Sequence, residues 1–141
     1  MTISAGCAER RETMGARARA LAGQVDYVAL ERTLRTRKLL ATLGPRIVEL
    51  TDEGSPESFH AAVRRSLETG RRQASLLALL AGRAVEMLGA QEIPVAVLKG
   101  PTLAQAIYGD HGRRLSGDVD LLVAPEHLTR AVQVTRTLGY R

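Results

Sequence analysis

The sequence predicts an α/β (α+β) fold, with a helical region over residues 1–91 and the opening β-α-β-α part of a sheet-containing core over residues 92–141. Three observations predict it. The chain has 141 residues, 45% of them apolar, enough for one core and too short for two large domains. Apolar residues recur at helical spacing as far as Leu88. Beyond Ile93 they form short continuous runs, which are the mark of strands.

Residues 1–20 combine small and charged side chains (CAERRETMGARARA) with a poor apolar period, which reads as a mobile arm or a frayed helix start. From Val25 to Leu43 the pattern predicts one amphipathic helix. Tyr27, Leu30 and Leu34 lie on one face, Leu39, Leu40 and Leu43 shift round it, and Gly44-Pro45 stops it. Ser55 is placed to cap the next helix and Pro56 to open it. Phe59, Ala62, Val63, Ser66 and Leu67 then follow at helical spacing until Gly70 interrupts. Gln73 to Leu88 is apolar round much of its circumference, which predicts burial on most sides.

Pro94 breaks the helical pattern, and Val95-Ala96-Val97-Leu98 reads as a strand covered on both faces. Lys99-Gly100-Pro101 turns the chain, and Pro101 opens a short helix through Tyr108. A glycine-rich loop, GDHGRRLSG, spans 109–117. A second strand is predicted over Asp118–Val123. Pro125 then starts a last helix, with Leu128, Ala131, Val132, Thr135 and Leu138 on one face and Gly139 ending it. There is no internal repeat.

Composition narrows the function classes. Aromatic residues are 3%, with no Trp and one Phe, so the core is aliphatic and stacking platforms for single-stranded nucleic acid are scarce. The formal net charge is +5, spread over both halves without a basic tail. That balance suits a phosphate-rich substrate or an arginine-preferring composition. Cys7 is the single cysteine, which excludes an intramolecular disulfide and agrees with a reducing compartment. Ser4-Ala5-Gly6-Cys7 is not read as a lipoprotein box, because no apolar segment precedes it. The longest apolar runs fall far short of the roughly 20 residues that span a bilayer. A soluble, cytoplasmic protein with no membrane partner is expected.

Asp118-Val119-Asp120 is the most informative triplet. On a strand, residues two apart share a face, so both carboxylates converge beside a loop while Val119 and Leu121 point into the core. Such a pair repels itself unless a hard cation intervenes, and Mg²⁺ or Mn²⁺ suits oxygen ligands and leaves positions for phosphates. An isolated D-x-D is more often a solvated turn. Upstream, Leu98-Lys99-Gly100 ends a strand and feeds a helix opening, a geometry in which backbone N–H groups approach phosphate. Pro101 removes one such N–H, leaving Thr102 to compensate. Arg113 and Arg114 stand five and four residues before Asp118, where a guanidinium neutralises acids or clamps a phosphate; doublets at 10–11, 64–65 and 71–72 show that arginine pairs are partly compositional here. His111 is read as an exposed loop residue rather than a base, and Ser116 as a turn residue before the strand. No zinc spacing, Walker A sequence or G-x-G-x-x-G motif occurs.

From Leu76 to Tyr140 the chain resembles the bacterial uncharacterised nucleotidyltransferase family of the DNA polymerase β superfamily, related to the nucleotidyltransferase toxins of abortive-infection systems. The matching features are a helix ending in a short apolar strand, then Leu98-Lys99-Gly100, then a helix with Leu103-Ala104 and Tyr108. These are followed by Arg114-x-Ser116-x-Asp118-x-Asp120-Leu121-Leu122-Val123 and a helix ending Leu138-Gly139-Tyr140. The resemblance implies metal-dependent transfer of a nucleoside monophosphate from an NTP to an acceptor. It implies Asp118 and Asp120 as the catalytic metal ligands for Mg²⁺ or Mn²⁺ and a Gly100 turn that faces the triphosphate; together with the residue reading above, Lys99, Gly100, Thr102, Arg114 and Ser116 are the nucleotide-binding candidates. The sequence departs from the superfamily pattern at Pro101, where a Ser or Gly is usual, and in having only Glu126 after Asp120 as a further acid. On this reading the chain is the front of a core truncated before its third strand.

Two other readings compete. One is a non-catalytic or truncated member of the same fold that binds a nucleotide, a metal or a partner. The other is a helical module whose basic faces bind phosphate backbones. The acceptor, whether small molecule, protein or RNA, is not specified by the residues. Two strands make a poor sheet, so a homodimer or a partner chain that completes it is expected.

Overall fold

The computed structural model describes residues 3–51, 54–137 and 139, with side chains from Glu12 onward. It is a mixed α+β structure: four helices, α1 (Ile3–Ala22), α2 (Tyr27–Thr36), α3 (Leu40–Thr51) and α4 (Glu57–Gly89), precede β1 (Val95–Val97), α5 (Pro101–Tyr108), β2 (Leu121–Val123) and α6 (Leu128–Thr137). Two compact units divide within α4, residues 1–67 and 68–141. Among the described residues no helix is long and apolar enough to cross a membrane.

In the first unit the segment expected as an arm or frayed start is helical from Ile3 onward, and the single helix expected from Val25 to Leu43 is two. Asp26 caps α2, its carboxylate accepting the N–H groups of Val28 and Ala29 at 3.1 and 3.0 Å, as a helix N-cap does. The helix ends in a Schellman turn. Lys38 adopts φ +57°, its N–H donates to the Arg35 carbonyl, and the Leu39 N–H donates to Leu34 at 2.7 Å. Gly44-Pro45 lies inside α3 instead of stopping it. Gly44 is retained by packing, since a Cβ there would stand 2.7 Å from a methyl of Val63. Tyr27, Leu34, Leu40, Phe59, Ala62 and Val63 form the core, and the Tyr27 and Phe59 rings meet at 5.2 Å, tilted 55°.

Ser55 sits buried between α3 and α4, hydrogen-bonded to Thr51 at 2.9 Å and to His60 Nε2 at 2.6 Å. From Glu57 the chain runs 33 residues as α4, so Gly70 does not interrupt it. The second half of α4 is not buried on most sides either. Gly70, Ala74, Leu77, Ala81, Ala84 and Leu88 form one buried stripe, while Leu76 and Leu79 are 57% and 73% exposed.

In the second unit α4 ends in another Schellman turn: Glu92 takes φ +56° and the Ile93 N–H donates to the Leu88 carbonyl at 3.0 Å. Leu88 and Ile93, the pair such a turn brings together, are both buried against Ala131 of α6. β1 and β2 are antiparallel, with Val95 opposite Val123 and Val97 opposite Leu121. Val95, Leu121 and Val123 pack on this cluster, but Ala96 and Leu122 are exposed. The strand expected to be covered on both faces is therefore covered on one, because among the described residues no second layer packs on Ala96 and Leu122. Pro125–His127 is a single 3₁₀ turn, and α6 begins at Leu128. Leu138 and Tyr140 lie outside the described residues.

Candidate functional site

The antiparallel register brings the end of β1 to the start of β2. Val97 pairs with Leu121, so the next residue of one strand meets the preceding residue of the other, and the Leu98 N–H donates to the Asp120 carbonyl at 3.0 Å. One position further, Lys99 Nζ stands 3.3 Å from Asp120 Oδ2. Two motifs separated by twenty residues of helix and loop are thus adjacent. The pair is solvent-accessible, the Lys99 and Asp120 side chains being 58% and 40% exposed.

Strand alternation does not place the two acids as expected. The strand begins only at Leu121; Asp118 lies in a bend and Val119 and Asp120 in irregular chain. The expected inward direction of Val119 and Leu121 is found, since both line an apolar pocket of about 260 Å³ with Leu88 and Ala131. Asp118 is exposed. Among the described residues no three His, Cys, Asp or Glu side chains gather as a metal-binding group.

Gly100 is buried at the N-terminus of α5 with φ +87° and ψ −143°, a region open essentially to glycine alone. A Cβ there would touch nothing within 4 Å, so backbone conformation is what demands glycine. Pro101 takes the first helical position, where a missing N–H costs little. Thr102 is exposed in the first turn of α5, beside a cleft of about 470 Å³ that Ser75, Gln105 and His111 also line.

The loop after α5 is anchored by residues that motif reading passed over. Asp110 receives the Arg71 guanidinium, Nη2 to Oδ2 at 2.7 Å and Nε at 3.2 Å, and also accepts the Gly112 N–H at 2.9 Å. Chiefly because of the hydrogen bond from Arg71, the Asp110 carboxyl is held below its ordinary value, and the Arg71 guanidinium is raised in turn. Gln73 Nε2 donates to the Ser116 carbonyl at 2.7 Å. Arg113 lies over the Tyr108 ring at 5.9 Å, and Arg114 is half-buried. The one sequence signal for this anchor is Asp110-His111-Gly112, the pattern of an Asx turn.

The model of the uncharacterised nucleotidyltransferase family matches residues 23–141. No curated protein and no solved structure matches the chain. The chain belongs to the uncharacterised nucleotidyltransferase family.

Proposed function

We propose that this protein is a metal-dependent nucleotidyltransferase of the DNA polymerase β type that transfers NMP from an NTP to an acceptor. An acceptor hydroxyl would give up its proton to solvent as its oxygen bonds to the α-phosphorus, while the bond from that phosphorus to the bridging oxygen breaks and pyrophosphate leaves. The observation that carries this reading is the 3.3 Å approach of Lys99 to Asp120, which sets a cation, a glycine turn and an acid at one accessible place. Family membership supports the reaction class.

On this reading Asp118 and Asp120 hold Mg²⁺ or Mn²⁺. Two exposed or half-exposed carboxylates are the right donors for a hard ion that keeps other positions for water and phosphate. Such an ion, when bound, neutralises phosphate charge and orients the reacting oxygens. Lys99 adds a positive charge beside Asp120. Gly100 supplies the positive-φ turn that starts α5 next to Lys99, and Thr102 contributes a hydroxyl at the first turn of α5. Arg114 and Ser116 reach the nucleotide from the anchored loop, Arg114 as a fork for phosphate oxygens.

The test is incubation of the purified chain with each α-labelled NTP and Mn²⁺ or Mg²⁺, following pyrophosphate release and label on protein or RNA. Release that disappears in Asp118→Asn/Asp120→Asn supports transfer. Metal–NTP stabilisation without turnover, lost in the same variant, restricts the site to binding. Absence of both signals overturns the assignment of Asp118 and Asp120.

A further inference from the structure

We infer that Asp110 is a positioning residue for the nucleotide site, acting as one half of a bidentate pair with Arg71 to hold the loop that presents Arg114 and Ser116; this rests on the nucleotide reading of that loop. Three grips from one turn of α4 support it. Gly70 presses its backbone on Gly112, so that a Cβ on Gly70 would overlap the Gly112 carbonyl oxygen. Arg71 forks onto Asp110, and Gln73 holds the Ser116 carbonyl. Residues 110 to 116 are thereby tied at their start, middle and end.

Asp110 is the centre of this arrangement. Its Oδ1 accepts from Arg71 Nε and the Gly112 N–H, and its Oδ2 accepts from Arg71 Nη2. The N–H bond closes the turn over His111–Arg113, and the Arg113 N–H completes it on the Asp110 carbonyl at 3.2 Å. Both carboxylate oxygens are occupied, which suits an anchor rather than a ligand for metal or substrate. Arg71 is likewise committed, and Arg113 lies over the Tyr108 ring, which leaves Arg114 as the loop's guanidinium for phosphate. A fork of this kind fixes direction as well as distance.

The experiment measures binding of Mn²⁺ with a non-hydrolysable analogue of each NTP by calorimetry, together with amide exchange over 111–117. It uses the wild type, Asp110→Asn, Arg114→Ala and the double variant. Asp110→Asn is expected to speed loop exchange and weaken binding about tenfold, the scale of one charge-assisted hydrogen bond. On the Arg114→Ala background the same change is expected to cost little more, because the anchor acts through Arg114. Arg71→Gln, on an exposed side chain, gives the same readouts if Asp110→Asn does not fold. Unchanged loop exchange, or a full tenfold loss in both backgrounds, overturns the inference. A wild type that binds no Mn²⁺–NTP analogue overturns the nucleotide reading and the inference with it.

Discussion

Gly70, in the middle of α4, and Gly112, in the turn after α5, meet backbone to backbone, leaving no room for a Cβ on Gly70 beside the Gly112 carbonyl. In an open helix, Gly→Ala stabilises by about 1 kcal/mol. Here the sign reverses: Gly70→Ala is expected to destabilise by about 1–3 kcal/mol, the usual cost of overpacking, read as a lower urea midpoint. A raised midpoint would show that α4 and the turn do not touch.

The two Schellman turns carry Lys38 and Glu92 in the left-handed region, where a side chain costs about 1–2 kcal/mol. Lys38→Gly and Glu92→Gly are each expected to stabilise by about 0.5–1 kcal/mol after the greater chain entropy of glycine is counted. Gly100→Ala should do the opposite, losing about 1–3 kcal/mol through backbone strain alone. Thermal unfolding of the three variants checks both signs.

Tyr27 has a buried hydroxyl without a hydrogen-bond partner among the described residues. Its ring packs on Phe59, so Tyr27→Phe keeps the packing and removes a desolvated polar group. The variant is expected to be as stable as the wild type or more stable by about 1 kcal/mol. A loss greater than that in denaturant unfolding would reveal a partner for the hydroxyl.

Asp110 is held below its ordinary value of 3.8 chiefly by the Arg71 hydrogen bond. A depressed carboxyl binds its proton more weakly folded than unfolded. Its stabilisation is therefore present above about pH 4 and is lost as pH falls through the folded-state value. Stability measured from pH 7 to pH 2 should fall less steeply in Asp110→Asn than in the wild type. Glu57 is lowered in the same direction by Arg64, so the comparison is best repeated in Glu57→Gln.

Legibility followed the range of the interactions involved. β1 was readable because Pro94 and four consecutive apolar residues act locally, and α5 because Gly100-Pro101 is both a turn and a helix opening. The break at residues 37–39 was not, because Lys38 supplies a left-handed turn without glycine or proline. Gly44 and Gly70 have the local pattern of helix breakers but lie inside helices. Each is small because another segment, Val63 in one case and Gly112 in the other, lies against it. At the candidate site the residues of both motifs were readable, while the anchor pair Arg71 and Asp110, separated by thirty-nine positions, carried only the faint mark of an Asx turn.

Periodicity, capping and turn preference among near neighbours were enough for the helical first half, the change to short strands after Ile93 and the residue types of the proposed chemistry. Long-range packing set the rest: that Lys99 meets Asp120, that one face of the second half of α4 is buried, and that Gly70, Arg71 and Gln73 hold the loop from Asp110 to Ser116. Those outcomes depend on strand register and on backbone contacts between distant segments. Such contacts form because they satisfy polar groups and exclude water from the apolar faces, and local patterning carries no record of which segments will meet.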